Sequence, residues 1–106
     1  MPGGGGGRPR SRFGYNGAGS DIPEDVVGQC RSALKAIERA LDEAGSGFAE
    51  IVRVVYYLPD AADFKACWPL LAETFGDHPP AATMIECGLI DPKYKIEIEV
   101  TALAPV

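Results

Sequence analysis

Residues 50–58 read EIVRVVYYL. β-Branched and aromatic side chains fill this run, which marks it as a strand. Strict alternation would put Val52, Val54, Tyr56 and Leu58 on one face and Ile51, Arg53, Val55 and Tyr57 on the other. Both faces are largely apolar. One helix layer covers only one side of a sheet, so a second protein surface is expected over the far side.

Upstream, Pro23 suits a first helical position, and Glu24 and Asp25 set negative charge at the positive end of the helix dipole. Val27, Cys30, Leu34, Ile37, Leu41 and Ala44 then recur in steps of three and four, forming one apolar stripe. Arg31, Lys35, Glu38, Arg39, Asp42 and Glu43 make the solvated side, and Gly45 supplies the stop. Downstream, Asp60 caps a second helix whose stripe is Phe64, Cys67, Trp68, Leu71 and Phe75. Pro69 inside that pattern predicts a kink, or a preliminary turn ending where the main helix begins. Two further strands follow, 81–89 and 94–103, joined by a turn at Asp91-Pro92. Helix, strand, helix, strand, strand is an α+β layer architecture.

The 106-residue chain fits one small domain. Residues 1–12, MPGGGGGRPRSR, are Gly-rich and basic and are expected to be disordered, leaving 13–106 as the folded domain. No apolar run approaches the roughly 20 residues that span a bilayer, and the start lacks a signal-like apolar core. The net charge of −5 makes nucleic acids and anionic membranes poor partners. Cys30, Cys67 and Cys87 are odd in number and widely spaced with no CxxC, which reads as reduced, mostly buried thiols of a cytoplasmic protein. No metal site or cofactor is indicated.

Four stretches in order carry a family resemblance: IPEDVVGQCRSALKAIERALDEAG (22–45), IVRVVYYLPDAADF (51–64), FGDHPPAAT (75–83) and KIEIEVTAL (95–103). Together they resemble the reactive intermediate deaminase family, also called Rid or YjgF. The resemblance implies a chorismate-mutase-like α+β fold, two helices on a mixed and mainly antiparallel sheet, assembled as a homotrimer with the helices outside. It also implies clefts at subunit interfaces, where active members hydrolyse enamines and imines without a cofactor or metal.

Two departures follow from the same comparison. Family members begin with a β-hairpin before the first helix, and no strand-like stretch precedes Phe13 here. A shortened sheet is therefore expected, with 94–103 as a bare edge. Active members also carry an arginine at the position of Ala82. A guanidinium can hold a carboxylate through two parallel hydrogen bonds, whereas alanine offers none.

By the same resemblance, Glu97 matches the cleft glutamate and is the candidate catalytic residue, able to orient water or exchange a proton. Ala82, Thr83 and Met84 would line one cleft wall, and Trp68 matches a position near the cleft, although its place on the apolar stripe of the second helix favours core packing. Arg53 would need a charge partner, with Glu99 and Glu86 as candidates. His78, alone in a proline-rich loop, has no assigned chemistry. The expected function is binding of a small metabolite at subunit clefts, with the usual imine deaminase activity weak or absent. The alternatives are a hydrolase acting on a non-carboxylated enamine or imine, and an incomplete family copy without activity. The acidic charge and the lack of a basic stripe argue against an endoribonuclease.

Overall fold

The computed structural model of the chain describes residues 10–15 and 22–103. The elements are β1 (Arg10–Tyr15), α1 (Val26–Glu43), β2 (Ile51–Leu58), α2 (Trp68–Phe75), β3 (Ala81–Glu86) and β4 (Glu97–Leu103). Short 3-10 helices, Phe48–Glu50 and Ala61–Cys67, precede β2 and α2. The sheet order is β1-β4-β2-β3. β4 is antiparallel to both β1 and β2, while β3 is parallel to β2. A parallel pair needs a crossover, and the 3-10 helix with α2 provides it.

β1 corrects the expectation of a bare β4. Arg10 lies opposite Leu103 and Tyr15 opposite Ile98, so β4 is an interior strand. The strand begins inside the segment expected to be disordered; the rest of that segment, residues 1–9, lies outside the described residues. RSRFGY has no apolar alternation that would mark it as a strand alone. Its conformation comes from the row of backbone donors and acceptors that β4 presents along its side.

The start of α1 also moves. Asp25 is the N-cap, and its carboxylate accepts the Gly28 N–H at 2.9 Å. Helical residues therefore begin at Val26, and Pro23 precedes the cap. Gly45 ends the helix region at φ 75°, a left-handed conformation that glycine adopts without steric penalty. At the second helix the preliminary turn is present: the 3-10 helix runs to Cys67 and Pro69 falls in the first turn of α2, where its missing N–H has no helical partner to lose. Asp60 caps this segment, its side chain accepting from the Ala62 N–H at 3.0 Å.

One face of the sheet packs on the helices. Ile37, Leu41, Cys30 and Leu34 of α1 join Leu71 and Phe75 of α2 against Val54, Tyr56, Leu58, Ile98, Val100 and Ala102. A bulge modifies the alternation expected in β2. Ile51 pairs with Ala102 and Arg53 with Thr101, leaving Val52 as an extra residue. Ile51 is thereby turned into the core with Val54, and Val52 is exposed. No helix among the described residues is long and apolar enough to cross a membrane.

Candidate functional site

Across β4, β2 and β3, pairing registers place nine residues on the sheet face away from the helices. Thr101, Arg53 and Ala81 form one row across β4, β2 and β3. Glu99, Val55 and Thr83 form the next, and Glu97, Tyr57 and Ile85 the third. Three of these nine are charged, and no helix among the described residues covers them. Val55, at the centre of the grid, is only 6% exposed even in the single chain. The flanking side chains close over it. Tyr57 donates its hydroxyl to Glu99 at 3.1 Å, and Arg53 Nη2 donates to the Thr83 hydroxyl at 3.4 Å.

The Arg53 contact corrects the expected ion pairing. Glu86 lies on the helix side and accepts the Ala61 N–H at 2.7 Å, while Glu99 is engaged by Tyr57. Arg53 reaches toward β3, whose small residues leave space for its long side chain.

β3 is an edge strand beyond the helix layer. Ile85 is 40% exposed on the outer face and Met84 37% exposed on the helix side. Ala81, Ala82 and Glu86 are exposed, and Thr83 is half-buried. Among the described residues the strand therefore offers both faces and one free hydrogen-bonding edge. Ala82 and Met84 share the side of Val54 and Tyr56, whereas Thr83 shares the side of Val55. Alternation thus divides the three residues expected along one wall, and a ligand touching all of them would approach along the free edge.

Glu97 sits at the start of β4, half-buried, in the row of Tyr57 and Ile85. Ala82 lies opposite Val54, three residues back along β2, on the other face. With strand spacing near 4.8 Å and a rise near 3.3 Å per residue, the Ala82 and Glu97 backbones are roughly 14 Å apart. One chain does not bring them together.

Trp68 opens α2 and is 53% exposed, with Lys65 Nζ 5.9 Å from the ring centre. Core packing is excluded for it; the 3-10 helix ahead of α2 shifts the phase of the apolar stripe so that Cys67 is buried instead. Cys30 and Cys67 are fully buried thiols, while Cys87 is half-buried. His78 is exposed. Among the described residues, no group of three or more His, Cys, Asp or Glu is placed to hold a metal ion.

Grooves elsewhere do not include the candidate residues. One of about 300 Å³ runs between α1 and α2, floored by Leu34, Phe48 and Leu70. Another of about 350 Å³ lies beyond the C-terminal ends of β2 and β3, between Asp60, Leu89 and Tyr94. Sequence reasoning missed Gln29, a fully buried polar side chain that ties α1 to the loop before β4. Its signal was its place, three residues after Val26 and four before Ala33 on the buried face of α1.

A single helix layer on a mixed four-stranded sheet, with an uncovered outer face and an overhanging parallel edge strand, defines a small α+β protein. A family model described as Endoribonuclease L-PSP matches residues 12–104, and the chain belongs to that family, the YjgF or Rid proteins of the sequence resemblance. It is 31% identical to the RutC family protein YoaB of Escherichia coli K12 over 91 residues, covering 83% of this chain and 78% of that one. It is 32% identical to the RutC family protein PH0854 of Pyrococcus horikoshii, covering 79% and 67%. Among solved structures it is similar to Rv2704 of Mycobacterium tuberculosis, a YjgF/YER057c/UK114 family member, with a TM-score of 0.78, 34% identity and coverage of 87% and 75%. A putative translation initiation inhibitor from Salmonella typhimurium gives a TM-score of 0.80 at 26% identity, covering 90% and 82%.

Proposed function

We propose that this protein binds a small metabolite at clefts formed where copies of the chain meet, in a cytoplasmic homotrimer of the kind the family resemblance implies. Ala82, Thr83, Met84 and Trp68 line the cleft from one copy, and Glu97 is the candidate water-orienting or proton-exchanging group. The observation that carries this reading is β3. It lies beyond the helix layer with both faces exposed, and it holds Ile85 and Met84 at the surface.

Turnover of carboxylated imines is slow in this reading. Ala82 gives their carboxylate no clamp, and positioning of the reacting group is lost with it. Glu97 lies across β2 from β3, so it serves a ligand at β3 only if a second copy supplies it. β4 is paired on both sides, so the edge that the incomplete-copy reading left bare is covered by β1.

Backbone amide NMR of the assembled protein tests the proposal, using millimolar pyruvate and its neutral analogue pyruvamide as separate probes. Shifts clustered on 81–86 and around Glu97 with at least one probe support it. Shifts confined to the groove between α1 and α2, or none with either probe, would overturn it.

A further inference from the structure

We propose that Arg53 is the carboxylate anchor of this site, so that its ligands are small carboxylates held from β2 rather than from Ala82. This rests on the metabolite-binding reading above and names the ligand class for it.

The guanidinium lies on the outer face with its Nη2 3.4 Å from the Thr83 hydroxyl. That is a long, weak hydrogen bond to a neutral partner, readily exchanged for a charged one. Arginine carries five donors in a planar fork matched to a carboxylate. Here the fork reaches over β3, where Ala81 leaves space beside it and the Thr83 hydroxyl can join in holding an oxygen.

The surrounding charges fit an anion at this point. On the β3 side of Arg53 the outer face offers Ala81, Thr83 and Ile85, none of them charged. The carboxylates of that face, Glu97 and Glu99, both stand on β4, and Glu99 accepts the Tyr57 hydroxyl. β2 separates β4 from β3 by roughly 10 Å, with the buried Val55 between them. An anion bound over β3 therefore meets the cation first and the two glutamates only at a distance.

Arg53 and Glu97 are about 14 Å apart along the same face, two rows up β2 and one strand across. A carboxylate on Arg53 is thus out of reach of the Glu97 on its own chain, which separates binding from turnover.

Calorimetric titration of the assembled protein with pyruvate, and separately with pyruvamide, tests the assignment in wild type, Arg53→Gln, Arg53→Lys and a control, Arg39→Gln, on the exposed side of α1. Far-UV circular dichroism and sedimentation verify that each variant keeps the native fold and assembly. Pyruvate affinity is expected to fall about ten- to a hundredfold in Arg53→Gln, to recover in part in Arg53→Lys, and to stay unchanged in the control. Pyruvamide binding should be the same in all four. Equal pyruvate affinity in wild type and Arg53→Gln would overturn the anchor and leave the metabolite site standing. Binding of pyruvamide without pyruvate in the wild type would do the same. Failure of the wild type to bind either probe would overturn both.

Discussion

Gln29 Oε1 accepts the backbone N–H of Lys95 at 2.7 Å, while its amide nitrogen donates to the carbonyls of Pro23 and Lys93, each at 2.8 Å. One fully buried side chain thus joins the approach to α1 with the segment that leads into β4 and Glu97. Gln29→Ala removes three hydrogen bonds and leaves their backbone partners to be satisfied by water or not at all. A destabilisation of about 2 to 3 kcal/mol is expected. Urea unfolding with an unchanged m-value would report it as a loss of stability rather than of compactness.

Assembly is tested at Ile85 rather than at Val55. Val55 faces outward but is already covered within its own chain, so a charge there disrupts the sheet itself. Ile85 is exposed on the same face of the edge strand. Ile85→Glu is expected to leave the fold intact and shift sedimentation toward the monomer. An unchanged assembly would show that this face is not between copies.

Ammonia release from 2-aminoacrylate in a coupled assay should stay near the uncatalysed background in the wild type. Ala82→Arg adds a cation on the strand that already carries Thr83, and pyruvate affinity is expected to rise about tenfold. If the rate of ammonia release rises as well, Glu97→Gln in the same background should abolish the gain. A fast wild-type reaction that disappears with Glu97→Gln would show that the alanine is no impediment.

Alkaline pH should weaken the fold. Burial raises the Tyr56 phenol, so it holds its proton more tightly folded than unfolded. The buried thiols Cys30 and Cys67 shift in opposite senses through their mutual contact, Cys30 up and Cys67 down, and so set no one-sided pH dependence. The phenol's contribution is fully present below pH about 10, where an unfolded phenol begins to ionise, and is lost as pH rises toward the raised folded value. Denaturation midpoints measured from about pH 8 to 11.5 should fall above that point, and Tyr56→Phe should flatten the decline.

Much of this architecture is legible in the chain because its local signals agree. The α1 stripe, the β-branched run of β2 and the alternation of Ile96, Ile98, Val100 and Ala102 each state a period, and the structure buries most of the expected side, with Val27 half-buried and Ala44 exposed at the ends of the α1 stripe. What escaped was non-local. RSRFGY has no strand period of its own, and β1 exists through its pairing with β4. The bulge at Val52 breaks an alternation that composition alone leaves intact. At the site, Glu97 and the residues of β3 could be named, but only the strand order shows that β2 stands between them. Arg53 looked like half of an ion pair because charge is visible in a sequence and side-chain direction is not.

The β1–β4 pairing has a kinetic consequence. The two strands lie at opposite ends of the described chain, so their contact closes the longest loop in the fold and bears the largest chain-entropy penalty. On a ribosome, β1 emerges before β2 and β3 and its partner β4 after them, so β1 stays unpaired until β4 has emerged. Contacts between β2 and the 3-10 helix Ala61–Cys67 that follows it are local and can form early, whereas docking of β1 belongs to the late, slow part of folding. Substitutions in β1 should therefore change the unfolding rate far more than the folding rate.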